Sequence, residues 1–312
     1  PLGSVWPMAL TGQQFDIAAG DHEATIVEVG AGLRRYAHDG ADVTVTYGEI
    51  ELPPKACGVV LVPWPNRLRG GKYSFGGAAY QLPLTEPLVG NAIHGLGRWA
   101  RWVPVRHDRS AVTLALDIVP LPGFPFQVRV EVTYALDAEH GLIVTAVARN
   151  TGTERAPFGA GFHPYLATRG HAIGDVTVKL PARERIVVDE AKVPVGVQPV
   201  AGTHYDLRRG RRLGELRMDD GFTGFATVGG RSAVEVRTRS GGAQLWFDET
   251  FRYVQVFTPD TVADGRPGVA VEPMTCPADA FNSGTSLIVL EPSQSWTGSW
   301  GIQPLPPRRR IL

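Results

Sequence analysis

Cysteine is nearly absent from this chain, lysine is scarce, and no long apolar run occurs. Cys57 and Cys276 are the only two cysteines in 312 residues, so there is neither a disulfide framework nor a zinc-knuckle spacing, and both are expected as reduced thiols. Lysine supplies four of the 31 basic residues. The arginine excess reads as a compositional bias of the source genome rather than as phosphate recognition. Those 31 cations balance 31 anions, which removes the electrostatic footprint that draws a nucleic-acid backbone. No segment approaches the ~20 apolar residues that cross a bilayer, and no charged stretch followed by an apolar one opens the chain. A cytoplasmic protein with no nucleic-acid or membrane partner is expected. "PLGS" at 1–4 looks like the remnant of a cleaved expression tag, which leaves 5–312 to interpret.

What is present is β-structure. The chain is 43% hydrophobic and 20% charged, the balance of a globular protein with ample core material. Alternating and β-branched runs recur, among them "DVTVTY", "AVTLALDIV", "FQVRVEVTYAL", "GLIVTAVA" and "YVQVFT". Glycine (37) and proline (25) cluster between them, as tight turns require. No amphipathic 3.6-residue pattern persists for about 12 residues, so helices should be short. With no linker, composition shift or internal repeat, the reading is all-β: a single domain over 5–312, built as a large antiparallel β-sandwich.

Five segments carry candidate chemistry. Of eight histidines, His22, His38, His107, His140, His171 and His204 sit in polar or turn-like sequence and read as structural. His94 in "NAIHG" and His163 in "GFHPYL" are flanked by glycine and apolar residues, where a half-buried imidazole serves proton transfer or ligand contact. In "GVAVEPMTCPADAFNSG" an apolar strand ends in Glu272, and Pro273 holds it extended. A buried carboxylate is either paired with an arginine or kept for use as a base, its pKa raised by burial. Asn66 and Arg67 precede a glycine-rich hairpin, where arginine either closes a turn or fixes ligand hydroxyls. In "RMDDGF", Asp219 and Asp220 read in isolation as an acidic turn.

Together these segments resemble the aldose 1-epimerases, or galactose mutarotases. "PNRLRGGKYSFGGAAYQLP" is similar to the family's Asn-Arg turn and hairpin, "NAIHG" and "GFHPYL" to its two histidine motifs, "MDDGF" to its aspartate motif, and "VAVEPMTCPADAFN" to its glutamate motif. All five occur in the family's order between about residues 20 and 302. The resemblance implies a galactose mutarotase-like supersandwich, a free hexose as substrate, and no cofactor or metal. It implies that Glu272 takes the C1 hydroxyl proton while His163 protonates the ring oxygen, that His94 polarises or holds a sugar oxygen, and that Arg67, Asp219 and Asn66 bind hydroxyls. Asp219 rather than Asp220 is assigned on its spacing to Phe222.

Departures bear on substrate: Asp220 stands where the family commonly has histidine, and "EPMTCPADAFN" differs from the commoner sequence around the base. The arginine excess keeps a hexose-phosphate 1-epimerase open as an alternative. A non-catalytic sugar-binding protein using Trp64, Trp99, Trp246, Trp296 or Trp300 as aromatic platforms is another, and a glycoside hydrolase built on Glu272 and Asp219 a third. Monomer and homodimer remain equally open. A neutral pH optimum would require the site to raise the pKa of both Glu272 and His163.

Overall fold

The computed structural model describes residues 9–307, so the "PLGS" segment lies outside the described residues. The alternating runs form the strands expected of them. Val128–Asp137 and Gly141–Asn150 alternate buried and half-buried positions, the signature of a sheet with one face on a core. They belong to a nine-stranded antiparallel sheet, ordered Val103–His107, Ala111–Ile118, Val128–Asp137, Gly141–Asn150, Ser295–Leu305, Gly241–Asp248, Arg231–Thr238, Thr177–Lys179 and Arg211–Arg212.

A second, eight-stranded antiparallel sheet runs Pro194–Pro199, Glu184–Val188, Asp219–Thr223, Tyr253–Phe257, Gly268–Met274, Gly161–Phe162 and Val60–Leu61, with Tyr165–Ala167 also paired to Gly268–Met274. Its inward residues Phe222, Val254, Val256 and Val271 join Leu114, Val130, Tyr134, Val144, Val234, Leu245 and Ile302 of the nine-stranded sheet in one buried cluster. Each such side chain stabilises the fold by about 1.5–3 kcal/mol on burial. Phe15, Ile26 and Tyr36, from a four-stranded sheet over 14–42, extend that cluster. The described α-helix is a single turn, Ala280–Ser283.

Two expectations need correction. "DVTVTY" forms no strand beyond Asp42, because Thr44 makes only an isolated bridge to Leu166. His22 is not in a polar turn: it is buried within strand His22–Val27, with its Nδ1 3.0 Å from the Tyr36 hydroxyl.

The outer face of the eight-stranded sheet positions the site. Gly268–Met274 is buried along its whole length, so both of its faces are covered. On the outer face one apolar cluster forms around Tyr165, Ala270, Val45 and Tyr47, and another around Ile186, Tyr253 and Met274. Between them runs a polar row.

Candidate active site

Register creates that row. Gly161 pairs with Met274 and Tyr165 with Ala270, a spacing that sets His163 opposite Glu272 where the ladder opens. On the other side of the strand, Gln255 pairs with Glu272 and Gly221 with Gln255. His163, Glu272 and Gln255 therefore point the same way, and Gly221 ends the row with no side chain. Glu272 does not end its strand as the sequence suggested; Pro273 and Met274 continue it. Pro273 lies opposite the opened stretch of ladder, where no partner strand asks for its missing N–H.

Two residues along, on the same face, stands Asp219, whose Oδ1 accepts a 2.8 Å hydrogen bond from Gln255 Nε2. The Asp-Asp-Gly sequence is not a turn, because Asp219–Thr223 pairs with strands on both sides. Successive strand residues face opposite ways, and this separates the two aspartates. Asp220 points inward, where Arg185 binds it through Nε and Nη2 at 2.7 and 2.6 Å.

The other wall comes from outside the sheet. Arg67–Arg69 pairs with Asn91–Ile93, and a left-handed residue flanks each strand: Asn66 at φ 54° and His94 at φ 64°. The two are tied by a 2.8 Å hydrogen bond from the His94 amide to the Asn66 carbonyl. Gly95 must follow, since a Cβ there would lie 2.1 Å from the Val62 carbonyl oxygen. Left-handed backbone is uncommon for non-glycine residues but several-fold enriched in Asn and His. Here it turns the His94 ring edge-on to His163, with centroids 5.3 Å apart. The opposite partner of His163 is Tyr165, stacked at 5.1 Å.

These elements enclose a cleft of about 380 Å³ lined by Asn66, Arg67, His94, His163, Asp219 and Glu272. The volume falls within the roughly 300–1,000 Å³ of small-molecule sites. Sequence reasoning missed Gln255, Glu86, Arg98, Lys55 and Phe257, which also line it. "YVQVFT" places Gln255 on the polar side of a strand but does not say what that side faces. Glu86 holds Arg67 in a bidentate pair, both bonds at 2.8 Å. Arg67 is thus half engaged before any ligand arrives.

The electrostatics centre on His163 and Glu272. His163 Nε2 and Glu272 Oε1 are 3.4 Å apart, both side chains being almost wholly buried. Glu272 Oε2, His163 Nδ1 and His94 Nδ1 are buried without hydrogen-bond partners. Each such atom costs about 1–3 kcal/mol if left unsatisfied. Burial first, and the Asp219 charge second, push the Glu272 carboxyl well above the carboxylate range, against the pull of Arg67. Burial drives His163 down to about 4, opposed by a backbone hydrogen bond and by Asp219. His94 is also driven well down, by burial and then by His163. The site thus raises one member of the pair and lowers the other, so the condition set for a neutral optimum, both raised, is not met.

The aromatic platforms are also corrected. Trp64 and Trp300 are buried in the core, and none of the five tryptophans lines the cleft. Among the described residues no group of three or more His, Cys, Asp or Glu side chains is arranged to hold a metal, and no helix is long and apolar enough to cross a membrane.

Residues 13–303 match the family model described as Aldose 1-epimerase. The chain is 35% identical over 297 residues to YihR, an uncharacterized protein of Escherichia coli (strain K12), with 93% of each chain covered. It is 30% identical over 196 residues to the galactose mutarotase of Homo sapiens, covering 59% of this chain and 56% of that one. A solved structure of a GalM/aldose epimerase homologue from C. elegans superposes with a TM-score of 0.83 at 18% identity, covering 95% of this chain and 99% of that one. At that identity the likeness is one of fold.

Proposed function

Because the chain belongs to the aldose 1-epimerase family, we propose that its cleft interconverts the α and β anomers of a free aldose by acid–base ring opening and closure. The observation that carries this reading is the contact of His163 with Glu272 at 3.4 Å on the cleft wall. A carboxylate and an imidazole so placed can serve the two oxygens attached to C1. Glu272 takes the proton of the C1 hydroxyl while His163 gives one to the ring oxygen. The C1–O5 bond breaks, the open-chain aldehyde turns about C1–C2, and the same groups close the ring with roles reversed. His94 holds the ring oxygen or a neighbouring hydroxyl. Asp219 and Asn66, with the donors of Arg67 that Glu86 leaves free, bind the remaining hydroxyls. No step needs a cofactor or a metal. The continuity of the core from Phe15 to Ile302 supports a single domain carrying this site.

The opposed pKa shifts bear on which proton does the work. Burial raises the Glu272 carboxyl and lowers the His163 imidazole, and so favours a neutral carboxyl beside a neutral imidazole over an ion pair. The reactive arrangement, carboxylate and imidazolium, holds the same number of protons. Activity therefore follows the singly protonated pair, whose apparent pKa values belong to both groups together. Sugar hydroxyls entering the cleft offer hydrogen bonds to the buried unpartnered atoms and favour the ionic arrangement. Positioned proton transfer of this kind contributes about 10²–10⁴ in rate.

The test is polarimetry, or exchange NMR, on freshly dissolved α-anomers. Glucose and galactose come first, the latter because a relative is named for it, and acidic hexoses follow. The proposal expects equilibrium to be reached faster than in buffer for at least one of them. It is wrong if the protein accelerates none.

A further inference from the structure

The cleft carries positive charge that the protein itself does not answer. Of the cations around it, Arg67 has its charge met by Glu86, and Lys192 Nζ lies 3.7 Å from Asp219 Oδ2. Arg98 and Lys55 also line the cleft, yet neither is in salt-bridge contact with a carboxylate among the described residues. Arg98 is the more telling, because it is only half exposed and its Nε is buried with no hydrogen-bond partner. Its guanidinium carbon lies 5.1 Å from the centre of the Trp99 ring. That contact supports the group's flat face and leaves its in-plane N–H donors free. Burial pulls its pKa below the usual arginine value, and Glu86 opposes this only in part.

The acids of the cleft are engaged with other partners. Glu86 is held by Arg67, Asp219 by Gln255 and Lys192, and burial disfavours the charged form of Glu272. A half-buried cation without a partner is costly. The hydroxyls of a neutral hexose would solvate it but not neutralise it. A carboxylate, phosphate or sulfonate would do both, through charge-assisted and often bidentate hydrogen bonds.

Resting on the mutarotase reading above, we propose that the aldose this cleft takes carries an anionic group on a carbon other than C1, seated against Arg98, with Lys55 as a second cation. C1 itself is excluded because ring opening needs a free hydroxyl there. Arg98 is then the residue that sets substrate class, while His163 and Glu272 do chemistry common to any aldose.

Exchange NMR measures anomerisation at equilibrium for glucose, glucuronic acid, glucose 6-phosphate and 6-deoxy-6-sulfoglucose, with the unmodified protein, Arg98→Gln, Arg98→Lys and Lys55→Ala. At least one acidic sugar is expected to exceed glucose in kcat/KM by about tenfold or more, the worth of one or two charge-assisted hydrogen bonds. The three acidic sugars distinguish which anion is meant. Arg98→Gln should cut that preference by about tenfold or more, mainly through KM, with partial rescue in Arg98→Lys. Lys55 is exposed, so Lys55→Ala tests the same charge without risk to the fold and should cut the preference by about threefold, as a screened charge would. Glucose performing as well as every acidic sugar would overturn the proposal, as would Arg98→Gln and Lys55→Ala both leaving the preference intact. Acceleration of no sugar at all would instead sink the mutarotase reading on which the proposal rests.

Discussion

Two buried acid–base contacts lie one strand apart in the same sheet, on opposite faces, and they are built differently. Asp220 and Arg185 form a finished ion pair, with nitrogen–oxygen distances of 2.6 and 2.7 Å and the guanidinium stacked 4.2 Å from the ring centre of Tyr205. His163 and Glu272 stand 3.4 Å apart, with a buried unpartnered atom on each. Burial alone predicts that both should be satisfied. That only the inward-facing one is satisfied separates a pair that holds the fold together from a pair held ready for something that enters.

The largest expected effect falls on the unfinished pair. His163→Asn should lower kcat by about 10²–10⁴ with a much smaller change in KM, and should remove the alkaline limb of the pH–rate profile, because the remaining base, Glu272, needs only to be ionised. Steady-state rates by polarimetry across pH check both parts. Next comes the finished pair: Asp220→Ala leaves Arg185 facing the core alone and should cost about 2–3 kcal/mol of stability, a buried-pair loss discounted because Arg185 is partly exposed. Denaturant unfolding measures it, and a neutral Asp220→Ala would erase the contrast between the two contacts. Arg67→Ala, which removes a hydroxyl-binding group and frees Glu86, should raise KM about tenfold while kcat changes little. The smallest effect is expected of chelation. EDTA should leave the rate unchanged, and loss restored by a divalent ion would require a metal in the reaction.

Much of this was legible in the sequence, for local reasons. Strand periodicity gave the sheets, and the motif residues His94, His163, Glu272, Asn66, Arg67 and Asp219 stand around one cleft. The strand Ser295–Leu305 was not legible, because glycine breaks its alternation. Gly301 is there since a Cβ would lie 2.3 Å from the Leu142 carbonyl oxygen and 2.6 Å from Trp246 Nε1, a demand made by strands remote in sequence. The choice between Asp219 and Asp220 becomes a matter of period two once the segment is known to be a strand. Gln255 and Glu86 owe their places to cross-strand register and to a loop folding back on Arg67, which no local pattern encodes. The opposition of His163 and Glu272 has the same non-local origin. The direction of the His163 shift is not legible in the sequence because it depends on depth of burial.

Glu272→Gln tests the central claim most directly, with anomerisation rate and melting temperature recorded on the same protein at several pH values. Glu272 is raised in the folded state, so its neutral form is the stabilised one. That stability is present below the ordinary glutamate value of 4.5 and is lost as pH rises through the folded pKa. Glutamine cannot ionise. The account predicts a rate lower by about 10²–10⁴, together with a melting temperature that gains on the unmodified protein as pH climbs above 4.5. A Glu272→Gln protein that keeps near-normal turnover, or that loses stability as Asp220→Ala does, would contradict it.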